Sequence, residues 1–371
     1  MAESRAGEPR AAVLAAFAAV YLIWGSTYLA IRYAIETLPP FMMAGTRFMT
    51  AGAILYLFMR MRGVARPMRV HWRSAFLLGG MLLLCGNGAV VWAEHRVASG
   101  IAALLVAVEP LWIVLLEWLR PGGRRPSART AAGVVLGFGG LVILVGPQEL
   151  GGGRVDVLGA LVVVVAAMSW AAGSLYSREA PLPSSPFLAT SMQMLAGGAL
   201  LMAAGLVTGE AGRVDPSAFS AKSLAALAYL TVFGSLVAFT AYIWLLGVVS
   251  PSRASTYAYV NPLVAVVLGW ALAGEALDAR VALSAVVIVG AVAMIIAASR
   301  EAEKAARPAA ENAEKIAAAP MPAPAPAVPE TRRVRSGKPV RTSPSTRSPS
   351  ALRASGTAPE PSFPRGIRSP R

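Results

Sequence analysis

Ten apolar blocks, each about as long as a bilayer is thick, occupy the first 299 residues of this chain, separated by short charged or Pro/Gly-containing breaks. They cover residues 11–31, 41–59, 74–93, 99–119, 128–146, 156–176, 187–207, 222–246, 254–273 and 280–299. An α-helix rises about 1.5 Å per residue, so roughly 20 apolar residues cross the hydrocarbon core. Buried helices of a water-soluble core would show polar faces, and these blocks do not. Composition agrees, with 56% hydrophobic and only 14% charged residues. The expected fold class is an all-α integral membrane protein with ten transmembrane helices. The first block is too long for a signal peptide, lacks a clear small-x-small cleavage site and precedes nine more spans, so it is read as retained.

Basic residues in short loops stay on the cytoplasmic side. With the N-terminus inside, thirteen Arg fall in inner segments, Arg120, Arg129, Arg178 and Arg253 among them. Only Arg32, Arg96, Arg154, Arg213, Lys222 and Arg280 fall outside. Both termini are therefore expected in the cytoplasm of a multi-pass protein of the cell (inner or plasma) membrane. Residues 300–371 hold fourteen Lys/Arg and six Asp/Glu, a net +8, in a Pro/Ala/Ser-rich stretch with little to bury. That tail is expected to be disordered and to contact anionic lipid. Nucleic acid is not an expected partner, because the basic residues are not interleaved with aromatics and Phe363 is the tail's only one.

Several chemistries are poorly supplied. Cys85 is the only cysteine, and His71 and His95 are the only histidines. An intrachain disulfide is impossible, and a thiolate cluster, a His-based metal site or a Ser-His-Asp triad has too few members. No cofactor or metal is expected. No G-x-x-x-x-G-K-[ST] loop occurs, so ATP drive is not encoded in this chain.

The chain also repeats itself. Trp24–Phe41 (WGSTYLAIRYAIETLPPF) and Trp170–Phe187 (WAAGSLYSREAPLPSSPF) share six identities in eighteen ungapped positions, including Trp24/Trp170, Arg32/Arg178 and Pro40/Pro186. At an offset of 152, Val108-Glu109-Pro110-Leu111 matches Val260-Asn261-Pro262-Leu263, and Trp92 matches Trp244. Each half holds five spans, an odd number, so the second copy enters the membrane from the opposite face. Inverted repeats place two related bundles around a midplane site that rocking exposes alternately. The expected layout is a cytoplasmic N-terminus (1–10), a first five-helix repeat (11–146), a connecting loop (147–155), a second repeat (156–299) and the tail (300–371).

WGSTYLAIRYAIETLPPFMMAGTRF, GNGAVVWAEHRVASGIAALLVAVEPLW and GEALDARVALSAVVIVGAVAMI resemble the EamA-type members of the drug/metabolite transporter superfamily, across both halves over about residues 11–299. The resemblance implies a ten-helix transporter of small metabolites. Its cavity would be lined by the first four helices of each repeat, with the fifth and tenth peripheral. It says nothing about the tail.

Polar groups in hydrocarbon need a partner, a cavity or a snorkelling route. Glu109 lies near the middle of the fourth span, and Pro110 removes a backbone hydrogen bond beside it, as Pro262 does beside Asn261 in the ninth. Glu109 is expected either to bind a proton or a cationic substrate group, or to form a structural ion pair with Arg47. Arg47, six residues into the second span, suits an anionic substrate group, a structural pair or a snorkelling role. Its repeat partner is Gln193. Together the two charges could serve one zwitterion. Trp24, Tyr28, Asn87, Tyr257 and Tyr259 are further candidates for the cavity wall, with Ser174, Trp170, Tyr242 and Trp244 behind them; the bland reading of each is an interface anchor or a hydroxyl bonded to its own helix. Arg32 and Arg178 read as end anchors. Glu117 reads as an interface residue that pairs with Arg120 or Arg129.

The function expected from these residues is gradient-driven secondary transport, as permease or exporter, of small polar organic metabolites such as amino acids or related compounds. A membrane sensor or assembly scaffold acting through the tail is the alternative. An intramembrane lipid-modifying enzyme is weaker still, for want of H-E-x-x-H or paired carboxylates, and no enzymatic activity is expected. The partners are a small-molecule substrate and the lipid bilayer, with a homodimer left open.

Overall fold

The computed structural model describes residues 10–123, 125–145, 156–249, 251–254 and 256–318. All of these but Ala318 fall in one unit, Met1–Ala317. Every regular element among the described residues is helical. The ten principal helices are α1 (Arg10–Ala34), α2 (Pro40–Met61), α3 (Arg69–Ala93), α4 (Ser99–Leu119), α5 (Ala128–Val145), α6 (Val157–Ser177), α7 (Pro186–Val207), α8 (Ala221–Leu246), α9 (Tyr257–Ala273) and α10 (Ala279–Ala318). Nine are long and apolar enough to cross a membrane. The exception is α9, with 17 residues. It starts later than its apolar block because Pro251–Ala254 forms a separate turn first.

Local sequence sets the helix ends. Pro40 and Pro186, a matched pair of the repeat, open α2 and α7, where a missing N–H costs nothing and the fixed φ suits the first turn. Asp156 caps α6 by accepting from the Gly159 amide at 2.6 Å, and Ser220 caps α8 through the Ser223 amide at 3.0 Å. At the far end, α10 continues past its apolar part to Ala318, well into the stretch read as tail. The sequence there, REAEKAARPAAENAEKIAA, is rich in strong helix formers. Residues 319–371 lie outside the described residues.

Two departures from regular α-geometry stand in matching places. α3 is π-helical over Gly79–Gly88 and α8 over Leu230–Val237, stretches whose starts are 151 residues apart, close to the spacing of the sequence repeat. α4 is broken: helix runs Ser99–Val106 and resumes at Glu109–Leu119. Pro110 has no N–H, and its ring crowds the carbonyl one turn earlier. α9 carries the equivalent Pro262 and stays continuous.

The helix pairings exchange halves. α1 packs on α8 and α9, and α6 packs on α3 and α4. α2 lies along α7, α2 also touches α8, and α7 also touches α3. Between helices in lipid there is little hydrophobic drive, so close approach and packing supply the attraction. A Cβ on Gly79 would stand 2.6 Å from the Gly197 backbone nitrogen, so α3 and α7 meet backbone to backbone. Gly79→Val is expected to lower stability by about 3 kcal/mol, the range of core overpacking; thermal unfolding of the detergent-solubilised protein measures it, and an unchanged midpoint would exclude this contact.

α5 and α10 pack on each other where Gly133 and Gly140 receive Ile295 and Ile288. Their other faces expose Val135, Val142 and Val286 by 70% or more, surfaces that hydrocarbon solvates and water would not. The Gly133-x-x-x-Gly137 stripe serves two neighbours, since Gly137 abuts Leu111 of α4.

Candidate functional site

The interruption of α4 fixes the first part of the site. Glu109 is the first residue of the resumed helix, half-buried, and its carboxylate comes within side-chain hydrogen-bonding reach of Ser174 on α6. Tyr28 of α1, Tyr242 of α8 and Tyr257 of α9 are near enough to feel its charge. The rings around it interlock. Tyr242 and Tyr257 meet edge to face at 5.4 Å between centroids, and Trp24 contacts Tyr242 at 5.1 Å, Tyr257 at 5.2 Å and Phe239 at 5.3 Å. Such tilted and edge-on pairs are the favoured geometry of aromatic quadrupoles. The Trp24 indole donates to the Gly234 carbonyl at 3.1 Å, inside the π-helical stretch of α8. Chemically this is one carboxylate beside electron-rich rings and hydroxyls, an arrangement that attracts cations.

A second polar group lies around Arg47. This side chain is 4% exposed. Its Nε donates to Ser235 Oγ at 2.8 Å, and its guanidinium lies 4.7 Å from the centre of the Phe48 ring. Gly234 leaves it room, since a Cβ there would be 3.1 Å from Nη2. Nη1 has no hydrogen-bond partner. Arg47 neither snorkels nor pairs with Glu109: among the described residues no carboxylate lies within ion-pair distance of it. The acid whose charge it feels is Glu94, just beyond the end of α3. Glu94 is itself 5% exposed with both carboxylate oxygens unpartnered. Asn87 Oδ1, Asn261 Oδ1 and Trp112 Nε1 are also buried without partners. Buried polar atoms are nearly always hydrogen-bonded, and of these groups Arg47 and Glu94 are near enough to feel each other's charge.

A third group closes one end. Glu275, in the loop between α9 and α10, accepts from Ser99 N at 2.8 Å, Ser99 Oγ at 2.7 Å and Gly100 N at 2.9 Å, and pairs with Arg32 at 2.5 Å. It thereby neutralises the amides that open α4 and ties them to the end of α1. Glu210 does the same for α2, accepting from Phe41 N and Met42 N at 3.2 and 3.0 Å. The opposite ends are joined more loosely. Glu117 reaches Arg120 and Arg178, each at 3.7 Å, with every partner over 40% exposed. Arg129 pairs with Glu301 rather than Glu117.

Of the residues singled out in the sequence, Trp24 and Tyr257 meet in the aromatic group, and Glu109 is near enough for its charge to reach Tyr257 and Tyr28. Tyr28 packs on the same core as Tyr259, and Arg47, Asn87 and Asn261 each carry a buried atom without a partner. Tyr259 packs on the core formed by Val108, Val266 and Ile288. Gln193 is half-buried on α7, and its backbone carbonyl would lie 3.0 Å from a Cβ on Gly79; among the described residues no hydrogen bond to its side chain joins it to Arg47. Glu94 and Glu275 escaped the sequence reading because an acid just past a span reads as solvated. The available signal was the α4 start, Ala98-Ser99-Gly100, which has no acid of its own to cap it.

The chain resembles known proteins over its helical part. The EamA-like transporter family model matches residues 10–146 and again 157–297. The uncharacterized inner membrane transporter YedA of Escherichia coli K12 is 41% identical over 278 residues, 75% of this chain and 88% of that protein. The uncharacterized transporter YoaV of Bacillus subtilis is 23% identical over 277 residues, 74% of this chain and 94% of its own length. One solved crystal structure covers 77% of this chain and 97% of its own with a TM-score of 0.53 and 23% identity, a likeness of fold alone.

Proposed function

Because the chain belongs to the EamA-like transporter family and is a multi-pass membrane protein, we propose that it is a secondary transporter of small polar molecules carrying a cationic group, amino acids or related compounds foremost. The observation that carries this reading is Glu109, set at the break in α4, within hydrogen-bonding reach of Ser174 and near enough for its charge to reach Tyr28, Tyr242 and Tyr257. Those residues come from α1, α6, α8 and α9, so both halves build the site, as a carrier that rocks one half against the other requires. An ammonium would pair with the carboxylate and lie against the rings. Arg47 and the unpartnered amides would take the remaining polar end of the cargo. The exchanged helix pairings and the matched π-helical stretches support two inverted bundles. The related inner membrane transporter supports placement in the inner membrane.

The test is flux into proteoliposomes of amino acids against the same carbon skeletons lacking the amino group. Selectivity of about 100-fold for the amine-bearing members is expected, the value of one buried charge pair; equal flux of both series refutes the cationic-group reading. Orientation has its own test. Single-cysteine labelling at Arg32 and Arg178 in a Cys85→Ala background is expected to find the two positions on opposite membrane faces, and labelling from one common face overturns the inverted arrangement.

A further inference from the structure

The Arg47 and Glu94 side chains pose a problem that substrate binding at Glu109 does not solve. Both are almost fully buried, they lie within Coulombic reach of each other, and they do not touch. Arg47 Nη1 and both Glu94 oxygens have no partner. An ionised carboxylate left in this condition would cost several kcal/mol, so the geometry favours a neutral acid. The surroundings add to this. Glu275, held by four donors, presents a fixed negative charge to Glu94. Tyr28 of α1 is near enough to feel its charge, and Arg32 and Arg47 are the positive groups in reach. The neighbours in sequence point elsewhere: Arg96 covers the Trp92 ring and reaches Asp156, and His95 feels Glu210. Burial first, then Glu275, pushes the Glu94 carboxyl well above the usual carboxylate range.

We propose that Glu94 is the proton-exchanging residue of the transport cycle: protonated, it leaves Arg47 Nη1 free for an anionic group of the cargo, and ionised, it takes Nη1 for itself. Only an O–H bond changes. The proton leaves to water on the side open at that moment and returns from water on the other. Cargo and proton then load together and unload together, because losing the proton creates the carboxylate that displaces the cargo's anion from Arg47. The cargo half of this statement rests on the transporter reading above; the proton half does not.

The experiment follows the two halves separately. Infrared pH titration of the purified full-length protein, with no added cargo, is expected to show a carboxyl band that persists above the pH range in which ordinary carboxyls ionise, vanishes in Glu94→Gln and remains in Glu109→Gln. A band unchanged in Glu94→Gln overturns the proposal whether or not the protein transports anything. If Glu94→Gln does not fold, Arg47→Gln reads the same band with Glu94 intact: removing the cation is expected to raise its midpoint by about one pH unit, and an unmoved midpoint overturns the pairing. With an amino acid found active in proteoliposomes, Glu94→Gln is expected to lose, by tenfold or more beyond any loss in exchange of that amino acid, its accumulation under an imposed pH gradient. Retained accumulation overturns the coupling role. If the wild-type protein moves none of the amino acids, the transporter reading fails and the infrared titration still decides the proton site.

Discussion

Glu109→Gln is expected to lower transport of amine-bearing cargo by about 100-fold while leaving the protein folded. Gln keeps the shape and stays within hydrogen-bonding reach of Ser174, so packing at the α4 break is preserved. What disappears is the charge. A buried charge pair with a bound cation is worth about 2–5 kcal/mol when one partner is removed, and about 2.7 kcal/mol corresponds to that factor. Glu109→Asp, which retains the charge one methylene back, is expected to recover part of the flux. Tyr257→Phe should cost less than tenfold, because the ring and its contacts with Trp24 and Tyr242 remain. Initial-rate uptake at several cargo concentrations checks the series. Full activity in Glu109→Gln would remove this residue from the site.

The second large effect is on stability, at Glu275→Gln. The carboxylate accepts from two backbone amides, one hydroxyl and the Arg32 guanidinium, with its side chain only 7% exposed. A carboxamide offers one acceptor oxygen and turns an N–H₂ toward donors. The amides that open α4 then lose part of their cap, and Arg32 loses its counter-charge. Breaking a buried pair in this way costs about 3–5 kcal/mol, and about 3 kcal/mol is expected here because Arg32 is 37% exposed and partly screened. Arg32→Gln is expected to cost no more than about 1 kcal/mol, since the carboxylate keeps its amide donors. Melting curves in detergent distinguish the two, and a larger loss from Arg32→Gln than from Glu275→Gln would show that the cap is not the main role.

The division between what the sequence revealed and what it hid follows from physics. Apolar blocks of bilayer length admit one main reading, so the helices were legible to within about five residues, except that α10 runs on to Ala318 through a polar, helix-forming stretch. A polar or charged group inside such a block is legible for the same reason: Glu109, Arg47 and Asn261 had to meet something polar. At span ends that logic lapses. Glu94 and Glu275 sit where water is the default neighbour, and only the path of α1, α4 and the α9–α10 loop in space makes them buried. The aromatic group was half visible. Trp24 was marked by its repeat, but its contacts with Phe239, Tyr242 and Tyr257 bridge more than 200 residues. The two Pro sites show the limit of local rules, for Pro110 stands at a break and Pro262 stands inside an intact helix. The π-helical stretches carry no sequence pattern of their own.

That last contrast has a kinetic consequence. One half of the molecule has a joint at Ala107–Val108, and the other has a rod at the corresponding place. If the halves exchange roles as the protein turns from one side of the membrane to the other, the two excursions are mechanically unequal. Inward and outward movement of one cargo should then differ in half-saturation and in top speed, even though thermodynamics fixes the ratio of the two at equilibrium.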